Sequence, residues 1–157
     1  MEERKKIALV LPAHNLGGFV EKSLEKVGDI TKHFAKKFKF LIYIVDDGSE
    51  DNTYLKIKKW ASGCSLQVFL IKNKENIGLV RSLKKTYEKI LEESSWPDYV
   101  LKTDLDKDYD QKEAIEELLN CVPENNFSIW VGYRGYNKDE LEKMIKADNG
   151  EYCRRKI

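Results

Sequence analysis

The feature that most constrains the fold is an alternation of short, strongly apolar runs with longer amphipathic stretches. The apolar runs are residues 7–11, 40–45, 66–71, 99–101 and 128–132. Runs of this length that are rich in β-branched and aromatic side chains predict strands buried on both faces of a sheet. Between them, apolar residues recur at helical spacing and predict helices. These helices are residues 18–34, 53–60, 79–91, 110–119 and 137–145. Strands that alternate with helices predict an α/β fold with a mostly parallel sheet and helices on both faces.

Composition favours a single globular domain over residues 1–157. Hydrophobic residues make up 41% of the chain and charged residues 35%, which is typical of a compact protein with a buried core. The 28 Lys and Arg residues nearly balance the 27 Asp and Glu residues, so the formal net charge is +1. Because binding to a nucleic acid backbone needs a clustered excess of positive charge, we expect no nucleic acid partner.

Cysteine usage and hydropathy favour a cytoplasmic protein. Cys64, Cys121 and Cys153 are far apart and form no Cys-x-x-Cys motif, which favours reduced thiols over disulfides or structural zinc. The apolar run before Pro12 is too short for a signal peptide, and no run approaches the roughly 20 residues of a membrane span. Attachment to a membrane through a partner stays open.

The strongest candidate for metal chemistry is an Asp-x-Asp motif directly after the fourth predicted strand. Asp104 and Asp106 could share a divalent cation, and Asp108 could add a third oxygen. Carboxylate oxygens with open water positions suit Mg²⁺ or Mn²⁺, which often hold substrate phosphates. The alternative is a solvated acidic loop, because short acidic pairs are common on surfaces. Asp110 fits a helix cap better than a ligand.

A second acidic cluster, Asp46-Asp47-Gly48-Ser49, follows the second predicted strand. Ligands of open α/β sheets bind beyond the carboxyl ends of the strands, and both acidic clusters fall there. A carboxylate at this point could accept hydrogen bonds from a nucleotide base or ribose. The alternative is an ordinary strand-to-helix loop in which Ser49 or Thr53 caps the next helix.

Three weaker motifs end on the same side of the predicted sheet. Residues 12–15 follow the first strand, and His14 among them is more typical of a hydrogen-bonded loop residue than of a base or ligand. Residues 76–78 open a helix whose N–H groups, with the guanidinium of Arg81, could meet a phosphate; a plain helix cap explains them equally well. Residues 132–134 are explained by a Gly turn with an exposed Arg.

In this order, the motifs resemble family 2 glycosyltransferases of the GT-A fold, a Rossmann-like nucleotide-binding fold. The sequence looks most like the dolichyl-phosphate mannose synthase type. The matching segments are Pro12-Ala13-His14-Asn15, Val45 to Thr53, Asn76-Ile77-Gly78, Asp104-Leu105-Asp106 and Val131-Gly132-Tyr133-Arg134.

The resemblance implies transfer of a sugar, with inversion, from a nucleoside-diphosphate sugar donor. Asp47 would contact the base, in a pocket lined by Pro12 and Ala13. The expected nucleotide-sugar contacts are Pro12, Ala13, Asn15, Asp47, Gly78, Arg81 and Asp104. The expected ligands of Mg²⁺ or Mn²⁺ are Asp104, Asp106 and Asp108. The acceptor would be a lipid phosphate or a polysaccharide.

The chain also departs from the family pattern. Leu16 stands where many members have Glu, and the acceptor-side half that usually follows the Gly-x-Arg segment, with the catalytic base, is missing. We therefore assign no base and expect the domain to be incomplete at its C-terminal end. This leaves open a module that binds a nucleotide or nucleotide sugar without turnover. A nucleotidyltransferase is disfavoured because Gly17-Gly18 is too short for a glycine-rich phosphate loop.

The last predicted helix carries an apolar stripe of Leu141, Met144 and Ile145 with little chain after it to cover it. Large exposed apolar patches are uncommon on monomers. We therefore expect the chain to associate with a second copy, or with a partner that supplies the acceptor site.

Overall fold

The computed structural model describes residues 4–92, 97–105 and 119. The strands are β1 (Lys5–Ala13), β2 (Phe38–Asp46), β3 (Gln67–Lys72) and β4 (Tyr99–Lys102). The helices are α1 (Val20–His33), α2 (Thr53–Gly63) and α3 (Leu79–Glu92). The first four predicted strands and the first three predicted helices are thus confirmed. The predicted strand at 128–132 and helices at 110–119 and 137–145 lie outside the described residues, apart from Leu119.

The four strands form one sheet in the order β3-β2-β1-β4, and every neighbouring pair is parallel. Leu9 in the centre of β1 lies opposite Ile42 of β2 on one side and Leu101 of β4 on the other. This arrangement confirms the predicted parallel sheet. All four carboxyl ends point to the same edge, which is where the acidic motifs leave their strands.

Helices cover both faces of the sheet, as the apolar pattern predicted. On one face Leu9 packs in a cluster with Leu24 of α1 and Ile57 of α2. On the other face Val10 packs in a cluster with Ile90 of α3. Successive strand residues point to opposite faces, so continuous apolar runs are what a sheet covered on both sides requires. Among the described residues, no helix combines the length and apolar character needed to cross a bilayer.

The first predicted strand ends at residue 11, just before Pro12, and this bound is wrong, because β1 continues through Pro12, which pairs with Val45. The reason is the neighbouring strand towards which the backbone N–H and carbonyl of each β1 residue point. The carbonyl of Val10 accepts a hydrogen bond from the N–H of Thr103 on the β4 side. Pro12, two residues on, faces the same side, where the β1–β4 ladder has already ended. Its missing N–H therefore removes no ladder hydrogen bond.

The two-sided burial predicts the effect of truncating the central strands. Ile42 is fully buried, so Ile42→Ala should lower the free energy of unfolding by about 2–5 kcal/mol through lost burial and a residual cavity. Urea denaturation monitored by circular dichroism measures this change. The matched control is Leu55→Ala on α2, where the side chain is 68% exposed. Similar losses in the two variants would contradict the packing described above.

Candidate functional site

Three loops meet at the carboxyl-terminal edge of the sheet, and a fourth segment begins there. The loops are residues 14–19 after β1, 47–52 after β2 and 73–78 after β3. Residues 103–105 leave β4, on the other side of β1. This edge is where open α/β sheets bind their ligands. The contacts between the loops therefore determine the shape of any site here.

Asp47 joins the loop after β2 to the loop after β3. Its Oδ1 accepts hydrogen bonds from the Asn73 amide and the Ile77 N–H, both at 2.9 Å, and its Oδ2 accepts one from the Gly78 N–H at 3.0 Å. Burial on its own raises the pKa of Asp47. The hydrogen bonds from Ile77, Asn73, the Ser82 hydroxyl and Gly78 outweigh burial and hold that pKa below its ordinary value.

Gly48 lets the same two loops approach closely. Its φ is +63°, a left-handed conformation that favours glycine. A Cβ at this position would lie 2.2 Å from the carbonyl carbon of Glu75 and 2.4 Å from the backbone nitrogen of Asn76. Any side chain here would force the loops apart. Glycine is therefore required at position 48 both for the close contact and for the turn.

Asn15 connects the loop after β1 to the loop after β2. Its backbone N–H donates to the Ser49 hydroxyl at 2.9 Å, and its side-chain carbonyl accepts from the Glu50 N–H at 3.0 Å. Asn15 has a φ of +49°, in the left-handed region that Asn tolerates better than most residues. The two hydrogen bonds hold this backbone conformation in place.

Further hydrogen bonds tie the two loops together beside α2. The N–H of Leu16 donates to the Thr53 hydroxyl at 2.7 Å, and the N–H of Gly17 donates to Asp51 at 2.9 Å. Asp51 also accepts from the Thr53 N–H, and hydrogen bonding from the Thr53 hydroxyl is the main reason why the pKa of Asp51 is lowered. The residue that precedes α2, Asn52, makes no side-chain capping bond. The alternative of Ser49 or Thr53 as a helix cap is therefore wrong, because their hydroxyls accept from the loop after β1.

His14 lies where all three loops meet. Its Nδ1 is 2.8 Å from the carbonyl oxygen of Asp47, and its Nε2 is 3.0 Å from the Asn76 amide nitrogen and 3.2 Å from that of Asn15. The side-chain carbonyl of Asn76 accepts from the Gly78 N–H, so its NH₂ faces His14. Nε2 is then an acceptor, and Nδ1 carries the proton and donates to Asp47. Both ring nitrogens are engaged, which favours the structural interpretation of His14.

Asp46 differs sharply from its neighbour Asp47. It is 1% exposed, and neither carboxylate oxygen has a hydrogen-bond partner within the part of the chain that the structure describes. Its backbone carbonyl accepts from the Asn73 N–H. Among the described residues, the side chain of Asp46 therefore takes no part in the hydrogen bonds that join the loops. The sequence pattern did not separate the two residues.

Asp104 leaves β4 with its side chain partly in solvent. Its carboxylate is 42% exposed, and both oxygens lie 2.7 Å from the Lys102 ammonium. Thr103 and Leu105 on either side are buried and anchor the segment. The two carboxylate oxygens of Asp104 thus already face a positive charge, and such an oxygen pair suits a hard divalent ion. The described residues contain no cluster of three metal-binding side chains, and the expected ligands Asp106 and Asp108 lie outside them.

The other predicted contacts occupy the same edge of the sheet. Pro12 is half-buried and Ala13 is buried at the end of β1. Gly78 has a φ of +88°, and Arg81 is exposed in the first turn of α3. Because the N–H of Gly78 donates to Asp47 and Asn76, phosphate contacts at this turn would fall to Arg81 and to N–H groups further along the helix. The base contact of Asp47 stays a prediction.

A family comparison decides which class of protein has this arrangement. Residues 8–156 match the family described as Glycosyl transferase family 2, which is nearly the whole chain. The chain belongs to glycosyltransferase family 2. The motifs on which the resemblance was based therefore lie in a true member of the family.

Two relatives place this family 2 chain among known proteins. It is 30% identical over 103 residues to an uncharacterised protein of Methanocaldococcus jannaschii, covering 65% of this chain and 44% of that one. Its fold matches a mannosyltransferase of Pyrobaculum calidifontis, solved with GDP-mannose and Mn²⁺, with a TM-score of 0.59 and 19% identity. That match covers 74% of this chain and 32% of the other. The chain thus spans less than half the length of either relative, and the structural match confirms the GT-A type of α/β fold.

The contrast between Asp46 and Asp47 gives a direct test of this geometry. Asp47→Asn puts an amide donor against N–H donors and should lower the free energy of unfolding by about 2 kcal/mol or more. Asp46→Asn makes the same chemical change one residue earlier and loses no hydrogen bond to any residue that the structure describes. It should leave stability unchanged or raise it. Urea denaturation at neutral pH measures both variants, and equal losses would contradict the assigned partners.

Proposed function

We propose that this chain forms the donor-binding part of a metal-dependent glycosyltransferase that takes a sugar from a nucleoside-diphosphate sugar, with inversion. The observation that carries the proposal is the set of hydrogen bonds at Asp47 that joins the loops after β1, β2 and β3. These loops lie at the edge of the sheet where Asp104 leaves β4. Such a preformed edge in a member of glycosyltransferase family 2 suits a nucleotide. The Pyrobaculum mannosyltransferase, which shares the fold, binds GDP-mannose and Mn²⁺ and supports the same choice of ligand class.

Asp104, Asp106 and Asp108 would hold Mg²⁺ or Mn²⁺. The bound ion would neutralise charge on the leaving diphosphate as a Lewis acid. Asp104 is the described member of this set, and its partly exposed carboxylate can turn from Lys102 towards a ligand. Lys102 would then be released to face the added negative charge of the donor.

The remaining predicted contacts fall into two groups, those to the base of the donor and those to its diphosphate. Pro12 and Ala13 would line one side of the base pocket, since both lie at the end of β1 between the loop held by Asp47 and the start of the Asp104 segment. Asn15 would shape the neighbouring loop through its bonds to Ser49 and Glu50. Arg81, exposed at the start of α3, would meet the diphosphate through its guanidinium.

The acceptor side of the proposal rests on the sequence resemblance. A synthase of the dolichyl-phosphate mannose type would transfer to a lipid phosphate, and other members of the family would transfer to a polysaccharide. In either case the acceptor site would be completed by a further segment of the chain, a second copy or a partner protein. The apolar stripe of the predicted helix at 137–145, outside the described residues, is the surface that we propose for this contact.

Nucleotide binding should depend on a divalent ion through the Asp104 carboxylate. Calorimetric titration with GDP-mannose and UDP-glucose, with and without Mn²⁺, should reveal binding of at least one donor that Mn²⁺ strengthens. In Asp104→Ala the affinity measured in Mn²⁺ should fall to the metal-free value, because the ion loses a ligand. The fold should persist, since the side chain is partly exposed.

The matched control is Asp29→Ala, which removes an exposed carboxylate from α1, away from the edge. It should bind donor like the unaltered chain. A parallel assay for released free sugar separates binding from turnover. Absence of donor binding both with and without Mn²⁺ would contradict the proposed function, and wild-type affinity of Asp104→Ala in Mn²⁺ would contradict the metal assignment.

A further inference from the structure

A second layer of polar side chains lies behind Asp47. Asn73 is 2% exposed, and its amide nitrogen donates to Asp47 Oδ1 at 2.9 Å and to the Ser82 hydroxyl at 2.7 Å. Its backbone N–H donates to the carbonyl of Asp46 at 2.9 Å. Asn73 thus joins the end of β2, the loop after β3 and the first turns of α3. Neither Asn73 nor any residue behind it was singled out by the sequence motifs.

Lys85 determines which way the Asn73 amide faces. Its ammonium lies 3.0 Å from Asn73 Oδ1. An ammonium group can only donate, so the carbonyl end of the amide must face Lys85 and the NH₂ end must face Asp47. Ser82 and Lys85 are three residues apart on α3 and lie on one side of the helix, where both reach Asn73. The helix thereby fixes the direction of a buried donor towards Asp47.

Protein donors occupy most of the Asp47 carboxylate. Oδ1 accepts from the Asn73 amide and the Ile77 N–H, and Oδ2 accepts from the Gly78 N–H. An ionised carboxylate offers about four acceptor positions, so these three donors leave about one of them for a ligand. The three bonds hold the loop 73–78 in place and orient the carboxylate.

We propose that Asn73 and Lys85 are positioning residues for donor binding, which act through Asp47 on the loop 73–78. This inference rests on the proposed function and deepens it. In this arrangement Asp47 would order the wall of the base pocket as well as contact the base. Lys85 fixes the amide of Asn73, the amide orients the carboxylate, and the carboxylate holds the N–H groups of Ile77 and Gly78.

The test removes the ammonium while keeping the apolar stem of the side chain. Lys85→Met should speed hydrogen exchange at the Ile77 and Gly78 amides and weaken donor binding in Mn²⁺ by about fivefold to tenfold, the size expected for one hydrogen bond. Lys85→Arg keeps a cationic donor and should restore both. Lys84→Met is the matched control, because Lys84 is 76% exposed and pairs with Glu88 on the outer side of α3. It should change neither.

A double variant separates positioning from a general loss of stability. In the Asp47→Asn background, Lys85→Met should have no further effect on donor affinity, because the link between them is already broken. Additive losses would overturn the proposal, as would unchanged exchange at Ile77 and Gly78 in Lys85→Met. Faster exchange with unchanged donor affinity would also overturn it.

Failure of the proposed function has a different signature. If the unaltered chain binds no nucleotide sugar with or without Mn²⁺, the proposed function fails, and the donor-binding role of Lys85 and Asn73 fails with it. The exchange measurement would still decide whether they order the loop. If the unaltered chain binds donor and Lys85→Met behaves like Lys84→Met, the proposed function stands and the positioning inference is wrong.

Discussion

The candidate site depends on one interaction, the set of hydrogen bonds by which the Asp47 carboxylate holds the backbone of Ile77 and Gly78. Two strands that are neighbours in the sheet end at the same edge, but nothing in a parallel ladder forces the loops beyond them to touch. Asp47 joins them, and the glycine at position 48 lets them approach closely enough for those bonds to form. His14 then attaches the loop after β1 to both. Removal of the carboxylate would break the side-chain hydrogen bonds that join the loops after β2 and β3.

The fold could be predicted because its causes are local and repeated. Each strand of a parallel sheet covered on both faces must be apolar throughout, and each covering helix must carry an apolar stripe, so the pattern itself specifies the layers. The one error in β1 shows what the pattern omits. Pro12 ends a strand only where its missing N–H would leave a neighbour unpaired, and that depends on where β4 stops.

The site could be predicted only in outline, since its details depend on contacts between distant residues. Sequence position indicated that acidic motifs would gather at one edge, and they do. The pattern did not show that the carboxylate of Asp46 would have no partner among the described residues, whereas that of Asp47 would accept three hydrogen bonds from the loop after β3. Asn73 and Lys85 look like ordinary polar residues of a loop and a helix. Their roles follow from a register that brings the end of β2 beside the end of β3.

The central claim is that a nucleotide and a divalent ion bind together at the carboxyl edge of this sheet. Paramagnetic broadening in a ¹⁵N-labelled sample tests it most directly, because Mn²⁺ broadens only nearby amides. Mn²⁺ added with a bound nucleoside diphosphate should broaden the amides of Asn15, Gly78 and Asp104, and should leave those of Lys6 and Phe38 at the opposite edge sharp. Broadening centred on the opposite edge, or no nucleotide-dependent broadening, would contradict the account.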